Sequence, residues 1–176
     1  MPHPRLRCAI LGCGVIAPVY ARAIALDGRA ELTVACDPLP DRAERLGARR
    51  VVGDAAAVFA DPEVDVVIIA TPHHLHADQT VAALAAGKHV ICEKPLATTP
   101  RDVERILDAA CHADHRTAVG IFQHRCNPLL KRLRELVRGG AFGRIAAAGL
   151  HFRCTRTASY YASGPWRGRW EGEGGG

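Results

Sequence analysis

The stretch from Arg7 to Asp37 constrains the fold of this chain more than any other part of its sequence. An apolar run at 8–11 leads into a glycine loop at 12–17, a helical segment follows, and a second apolar run at 32–36 ends on Asp37. The order of strand, glycine turn, helix, strand and acid is typical of a βαβ unit that binds a dinucleotide. The stretch therefore predicts a parallel sheet with a nucleotide site at one edge.

Each small residue of the loop has a physical role. Gly12 lets the backbone turn sharply off the strand, Gly14 leaves no Cβ between the main chain and a pyrophosphate, and Ala17 lets the helix lie close to the strand. The phosphates would meet free N–H groups and the positive end of the helix dipole. We assign the whole loop to the cofactor site: Gly12, Cys13, Gly14, Val15, Ile16 and Ala17.

Asp37 predicts which dinucleotide binds. It lies about twenty residues past the loop, where a carboxylate accepts hydrogen bonds from both hydroxyls of an adenosine ribose. A 2′-phosphate would face a like charge at this point, so the residue favours NAD over NADP as the cofactor.

A secretory signal is an alternative interpretation of the same stretch. Arg5, Arg7 and the small-residue segment Ala21-Arg22-Ala23 imitate a signal peptide with its cleavage site. However, two glycines and Pro18 interrupt the apolar run, and cleavage after Ala23 would discard a loop whose matching acid lies downstream. The dinucleotide interpretation is therefore preferred.

Composition bears on compartment and on the class of partner. The chain has 176 residues, and none of its apolar runs approaches the roughly eighteen residues of a membrane helix, so we predict no membrane partner. Its seven cysteines include no C-x-x-C pair. An odd number without paired spacing disfavours both a zinc knuckle and a disulfide framework. We therefore predict reduced thiols and a cytoplasmic location.

The basic balance raises the possibility of nucleic-acid binding. The net charge is +5, and the densest basic run is Lys131-Arg132-Leu133-Arg134. This run lies on a predicted helix whose other face carries leucine and valine at helical spacing, which is typical of a solvated face on a core helix. Aromatic residues make up only 5% of the chain, so few bases could stack. We predict no nucleic-acid partner.

Strands and helices alternate through the first two thirds of the chain. Continuous apolar runs are typical of parallel strands that are covered on both faces. Such alternation predicts an α/β, Rossmann-type doubly wound sheet at 1–123. A long run at 144–155 predicts the first strand of a different sheet, so 124–176 is expected to begin a second α+β domain. The predicted strands are 8–11, 32–36, 51–52, 64–70, 90–92 and 117–122.

The residues that follow the fourth strand are candidates for ligand contact, because ligands bind beyond the carboxyl ends of such strands. His73, His74, His76 and Asp78 could suggest a metal site. Adjacent His73 and His74 point apart, and no second cluster supplies further ligands, so we predict no metal. The better hypothesis is that Thr71 and the following proline, Pro72, line the cofactor while His76 begins a helix.

The fifth predicted strand ends on Glu93-Lys94-Pro95. A surface ion pair before a proline is common, but the position at the strand end places both charges in the same crevice as the glycine loop. Pro95 restricts Lys94 to extended backbone geometry. From these residues alone, a structural and a functional role are both open.

Taken along its whole length, the sequence resembles the Gfo/Idh/MocA family of NAD(P)-dependent oxidoreductases, which act mostly on sugars, inositols and related polyols. The Glu93-Lys94-Pro95 element is the most specific of the matching motifs. The others are Gly12-x-Gly14-x-x-Ala17, Asp37, Ala70-Thr71-Pro72 with His76, Gly87-Lys88-His89-Val90, Gln123-x-Arg125 before Asn127-Pro128, Gly140-x-x-Gly143, and Trp166-Arg167-Gly168 leading to Gly174-Gly175-Gly176.

The resemblance implies a role for each matched position. The glycine loop and Asp37 would hold the adenosine half of the cofactor. Lys94 would be the catalytic lysine, in contact with both cofactor and substrate, because an ammonium stabilises a forming alkoxide. The residues implied around the nicotinamide and its ribose are Thr71, Pro72, His76, Glu93, Lys94 and Gln123. The implied substrate contacts are Lys94, Arg125, Trp166 and Arg167.

One departure from the family pattern concerns the acid/base. Members continue after the triple glycine with an element that carries a histidine acid/base, whereas this sequence ends at Gly176. The resemblance therefore implies a C-terminally truncated enzyme that is inactive by itself and whose full-length form is a homo-oligomer. A non-catalytic NAD(P)-binding sensor or regulatory module is the alternative, although a lysine directed at the nicotinamide argues against it.

Overall fold

A computed structural model describes residues 4–175, and its centre is a six-stranded parallel sheet with the order β3-β2-β1-β4-β5-β6. The predicted α/β fold class is confirmed. The strands are β1 (Leu6–Leu11), β2 (Ala30–Cys36), β3 (Arg50–Val52), β4 (Val66–Ile69), β5 (His89–Cys92) and β6 (Ala118–Gly120). The chain runs outward from β1 to β3, returns to the centre at β4 and continues to the other edge. The reversal creates a crevice beyond the carboxyl ends of β1 and β4.

Helices connect the strands, and some of them begin at residues whose side chains cap the first turn. The side chains of Asp54 and Thr99 accept hydrogen bonds from the first turns of their helices. The helices are α1 (Ala17–Asp27), α2 (Pro40–Glu44), α3 (Ala55–Phe59), α4 (His76–Ala85), α5 (Pro100–His112), α6 (Pro128–Arg138), α7 (Ala158–Ala162) and α8 (Trp170–Glu173). Short 3-10 turns form at His73–Leu75 and Gln123–Cys126.

The apolar core lies on both faces of the sheet. On one face Leu11, Val67 and Ile69 pack with α3 and α4, and on the other Ile10 and Ile68 pack with α1 and α2. All four residues of β4 are buried, which explains why this strand shows no polar alternation. The core therefore fixes the central strands whose ends carry the candidate site.

The described chain divides into two compact units. The first comprises the residues up to Ile121 together with those from Gly168 onward, and the second comprises Phe122–Arg167. The second unit contains the Gln123–Cys126 turn, α6 and α7. The predicted domains, 1–123 and 124–176, are defined by function as a cofactor half and a substrate half, and they stay a prediction.

The predicted strand at 144–155 is wrong. This segment is irregular and exposed, and none of the six strands described within residues 4–175 comes from it. An extended apolar segment becomes a strand only when another strand satisfies its N–H and C=O groups. Without such a partner, Leu150 and Phe152 remain 92% and 78% exposed.

Candidate functional site

The glycine loop closes directly against the end of β4. Gly12 has a φ of +84°, and a Cβ built on it would lie 2.6 Å from the carbonyl oxygen of Ala70. Its amide donates to the Cys36 carbonyl at 2.8 Å. A side chain at this position would collide with backbone, so only glycine allows β1, β2 and β4 to end together.

The next part of the loop is open. A Cβ built on Gly14 would meet no atom within 4 Å, and Val15 is 90% exposed, whereas Ala17 is fully buried against the sheet. The first turn of α1 has no side-chain cap. The amides of Gly14, Val15 and Ile16 donate to no acceptor among the described residues, and they lie at the positive end of the eleven-residue helix, as an anion site requires.

Asp37 is buried at the end of β2 and already holds the loop. Its Oδ2 accepts the Cys13 amide at 2.9 Å, and its Oδ1 accepts the Leu39 amide at 2.9 Å. Each carboxylate oxygen has a further lone pair, so both can still accept a ribose hydroxyl. The residue predicted to read the ribose therefore also fixes the loop that would receive the phosphates.

Tyr20 joins the site, although the sequence analysis did not identify it. Its hydroxyl donates to Glu93 Oε1 at 2.7 Å, which links α1 to the end of β5. Burial and this carboxylate raise the pKa of Tyr20 above its ordinary value. The other oxygen of Glu93 accepts the Lys94 amide at 3.0 Å. The Glu93 carboxylate thus has a fixed orientation. In the sequence, the signal for this contact was a tyrosine one turn into the helix that follows the glycine loop.

Lys94 is exposed directly after β5, and the Lys94–Pro95 peptide is cis. His76 lies behind this segment and is fully buried. Its Nδ1 is 2.7 Å from the Pro95 carbonyl oxygen, and its Nε2 is 2.9 Å from the Thr71 carbonyl oxygen. The imidazole therefore connects the loops that follow β4 and β5, and its assignment to the cofactor site stays a prediction.

The remaining predicted residues fall into two groups. Thr71 and Pro72 line the end of β4, where the Thr71 hydroxyl donates to Gln79 Oε1 at 2.6 Å. Gln123 and Arg125 belong to the exposed turn that opens the second unit, where Arg125 lies 4.7 Å from the centre of the Phe122 ring. Trp166 and Arg167 are partly buried at the end of that unit.

The buried thiols of the first unit remain protonated at neutral pH. Burial raises the pKa of Cys13 to about 12 and that of Cys8, Cys36 and Cys92 to about 11. A protonated thiol is neither a nucleophile nor a good metal ligand, so these side chains act as small apolar groups. Within residues 4–175 no group of three or more potential ligands could hold a metal ion.

Residues 6–121 match the family described as the GFO/IDH/MocA oxidoreductase family with an NAD-binding Rossmann fold. Levoglucosan dehydrogenase of Pseudarthrobacter phenanthrenivorans is 39% identical over 65% of this chain and 28% of its own length. Inositol 2-dehydrogenase of Acidothermus cellulolyticus is 35% identical over 84% of this chain and 45% of its own length. The predicted fold and NAD as the family's cofactor are confirmed.

A solved relative has a similar backbone. The WlbA dehydrogenase of Bordetella pertussis, in complex with NADH and UDP-GlcNAcA, superposes with a TM-score of 0.86 at 32% identity, over 96% of this chain and 53% of that one. The chain therefore spans about a quarter to a half of the length of these relatives. No helix described within residues 4–175 has the length and apolar character needed to cross a bilayer.

Proposed function

Because this chain belongs to the Gfo/Idh/MocA oxidoreductase family, we propose that it is the cofactor-binding half of an NAD-dependent dehydrogenase that oxidises a hydroxyl group of a sugar, inositol or related polyol. One observation carries the proposal. Lys94 is exposed beside Glu93, whose carboxylate is bonded to the helix that begins at the glycine loop. The cationic side chain of Lys94 and the glycine loop therefore lie at the same carboxyl ends of the strands.

The residues at these ends fit a dinucleotide. The free amides of the loop at 14–16 and the open space at Gly14 suit a pyrophosphate, and the carboxylate of Asp37 suits the two hydroxyls of a ribose. A 2′-phosphate would lie against a carboxylate that is already buried, which favours NAD over NADP. When bound, NAD supplies a nicotinamide ring that accepts hydride.

Lys94 acts on the oxygen of the hydroxyl that is oxidised. Its ammonium would donate a hydrogen bond to this oxygen, and the bond would be strongest in the alkoxide that forms when the family's acid/base takes the hydroxyl proton. The negative charge would then be lost as hydride leaves the carbon for the nicotinamide and the carbonyl forms. Glu93 is held by Tyr20 and by the Lys94 amide, so it orients the segment that presents the ammonium. Thr71 and Pro72 would line the nicotinamide side of the crevice, while Gln123, Arg125, Trp166 and Arg167 would contact the ribose or the substrate from the second unit.

The substrate class and the setting complete the proposal. Relatives whose names specify levoglucosan and inositol favour a polyhydroxylated substrate. The seven cysteines are free in the structure, which supports a reducing compartment such as the cytoplasm. Dehydrogenase activity and a homo-oligomeric state belong to the whole protein, of which the 176 residues supply the cofactor half.

The test is a calorimetric titration of the 176-residue chain with NAD and, separately, with NADP. We expect NAD to bind more tightly. Asp37→Asn removes the negative charge but leaves an acceptor for one of the two amides, so it should reduce the preference for NAD while the chain stays folded. Failure of the folded wild-type chain to bind either dinucleotide would refute the proposal.

A further inference from the structure

The charge of this chain is strongly segregated. Residues 122–167 contain nine Lys and Arg residues and a single acidic residue, Glu135, for a net charge of +8. The other 130 residues contain fourteen basic and seventeen acidic residues, for a net charge of −3. The positive balance of the whole chain therefore comes entirely from the second unit.

Arginines are also partnered differently in the two units. In the first unit five arginines form ion pairs with carboxylates: Arg7, Arg29, Arg49, Arg50 and Arg105. In the second unit the only such pair among the described residues joins Arg132 to Glu135 on α6. The remaining guanidinium groups of that unit have no carboxylate of their own unit to neutralise them, because Glu135 is its only acid.

Two of these guanidinium groups are fixed on the same aromatic ring. The Cζ atom of Arg167 lies 4.3 Å from the centre of the Tyr160 ring and 4.5 Å from that of Trp166. The Cζ atom of Arg156 lies 5.1 Å from the centre of Tyr160. Aromatic contact holds a guanidinium in place and leaves its in-plane N–H groups able to bond. Nη1 of Arg156 already donates to the Cys154 sulfur and the Thr155 carbonyl, so a ligand would meet its other nitrogens. Two like charges on one ring repel each other, and a shared anion would relieve that repulsion.

The hydrogen bonding of Arg167 is incomplete. Its Nε is buried, and no acceptor for it occurs among the described residues. A buried charged donor without an acceptor is costly, and a carboxylate or phosphate is the acceptor that best matches a planar guanidinium. The charge balance, the aromatic contacts and this unused donor all point to the same kind of ligand.

We propose that Arg156 and Arg167, held by Tyr160 and Trp166, bind an oxyanion carried by the substrate, so that the substrate is an acidic sugar rather than a neutral polyol. The inference rests on the proposed dehydrogenase function and specifies its substrate class. The oxyanion is a carboxylate, as in a uronic acid, or a phosphate, as in a sugar phosphate. The fixed pair on one ring suits a small anion, whereas a nucleic acid would engage basic residues along the whole segment.

The experiment titrates the NAD-saturated 176-residue chain with glucuronate, glucose 6-phosphate, glucose and a single-stranded DNA oligonucleotide. We expect one or both acidic sugars to bind at least tenfold more tightly than glucose. Comparison of glucuronate with glucose 6-phosphate distinguishes a carboxylate site from a phosphate site. The double variant Arg156→Gln/Arg167→Gln should weaken that binding at least tenfold. Arg167→Lys, which keeps the charge and loses the planar fork, should weaken it less.

A matched control separates a built site from general charge. Arg134→Gln/Arg138→Gln removes the same two charges from α6 of the same unit, at positions without an aromatic contact, and should change binding of the acidic sugar less than threefold. Equal weakening by both double variants, equal binding of glucose, or tighter binding of DNA than of either sugar acid would overturn the inference. Retained NAD binding in these variants would show that the proposed function stands independently. Near-ultraviolet circular dichroism verifies that the second unit stays folded.

Discussion

A methyl group added at Gly12 meets backbone, whereas one added at Gly14 meets open space. At Gly12 it would lie 2.6 Å from the Ala70 carbonyl oxygen at a φ of +84°, so Gly12→Ala should lower the free energy of unfolding. We expect a loss of about 2 kcal/mol or more. Gly14→Ala meets no protein atom within 4 Å and should leave stability within about 0.5 kcal/mol.

The two glycine variants should also differ in their effect on NAD affinity. A methyl group at Gly14 occupies the space where a pyrophosphate would approach the main chain, so NAD affinity should fall at least tenfold although the fold is intact. Urea denaturation and NAD calorimetry of both variants measure the two effects. Equal NAD affinity of Gly14→Ala and the wild type would show that the phosphates lie elsewhere.

Tyr20 offers a second prediction for a single residue. Tyr20→Phe removes the hydrogen bond to Glu93 but keeps the ring, so Glu93 loses one of the two bonds that orient its carboxylate. A typical hydrogen bond contributes about 1 kcal/mol, which corresponds to about a fivefold loss in NAD affinity. Tyr161→Phe, which alters an exposed tyrosine of the second unit, is the control. An unchanged affinity in Tyr20→Phe would mean that Glu93 does not contribute to the cofactor site.

Between elements, His76 connects the loops that follow β4 and β5. Both of its partners are carbonyl oxygens, and a neutral imidazole carries a single N–H, so His76→Phe would leave these buried carbonyls without that donor. We expect the free energy of unfolding to fall by about 2–4 kcal/mol, and less in His76→Gln, which can still donate to one carbonyl. The exposed neighbour in the control variant His74→Phe should change stability little. Urea denaturation of the three variants would contradict this role if the His76→Phe and His74→Phe losses were equal.

Most elements of the first unit were predictable because local signals and tertiary packing agree there. The glycine turn and the apolar run of β4 both mark elements that the structure contains. The structure of the segment at 144–155 was not predictable, because its apolar pattern does not indicate whether a strand is present to pair with it. Strand formation there depends on a second strand, which no local pattern can report.

The positions of candidate site residues were predictable where a strand end fixes them, as for Asp37 and Lys94, whose roles stay predictions. The bonds that orient them were not, because they join residues distant in sequence: Tyr20 lies 73 positions from Glu93, and His76 lies 19 positions from Pro95. Lys88 shows that a residue of a family motif can have a structural role instead. It belongs to a motif that the family shares, yet its Nζ is buried and donates to the Asp61 and Val64 carbonyls at 2.6 and 2.9 Å, and burial lowers its pKa.

In the first unit, the carboxyl and amino ends of the strands have different roles. The candidate site lies at the carboxyl ends, while Lys88 and the pair formed by Arg7 and Asp65 lie where β5, β1 and β4 begin. Arg7 donates to both carboxylate oxygens of Asp65, at 2.9 and 2.8 Å, and these bonds lower the pKa of that carboxyl from 3.8 to about 2. Substitutions at these amino ends of the strands should therefore change the free energy of unfolding without changing nucleotide binding.

Stability should depend on pH through Asp65 in a defined direction. Because its folded-state pKa is depressed, the ionised carboxylate stabilises the folded chain above about pH 4, and this contribution is lost as the pH falls toward about 2. Allowing for partial exposure, Asp65→Asn should lower the free energy of unfolding at pH 7 by about 1–2 kcal/mol. The difference from the wild type should shrink steadily in urea denaturation between pH 4 and pH 2, while NAD affinity at pH 7 stays unchanged. A constant difference across that range, or none in comparison with the exposed control Asp114→Asn, would mean that the ion pair with Arg7 contributes nothing to the fold.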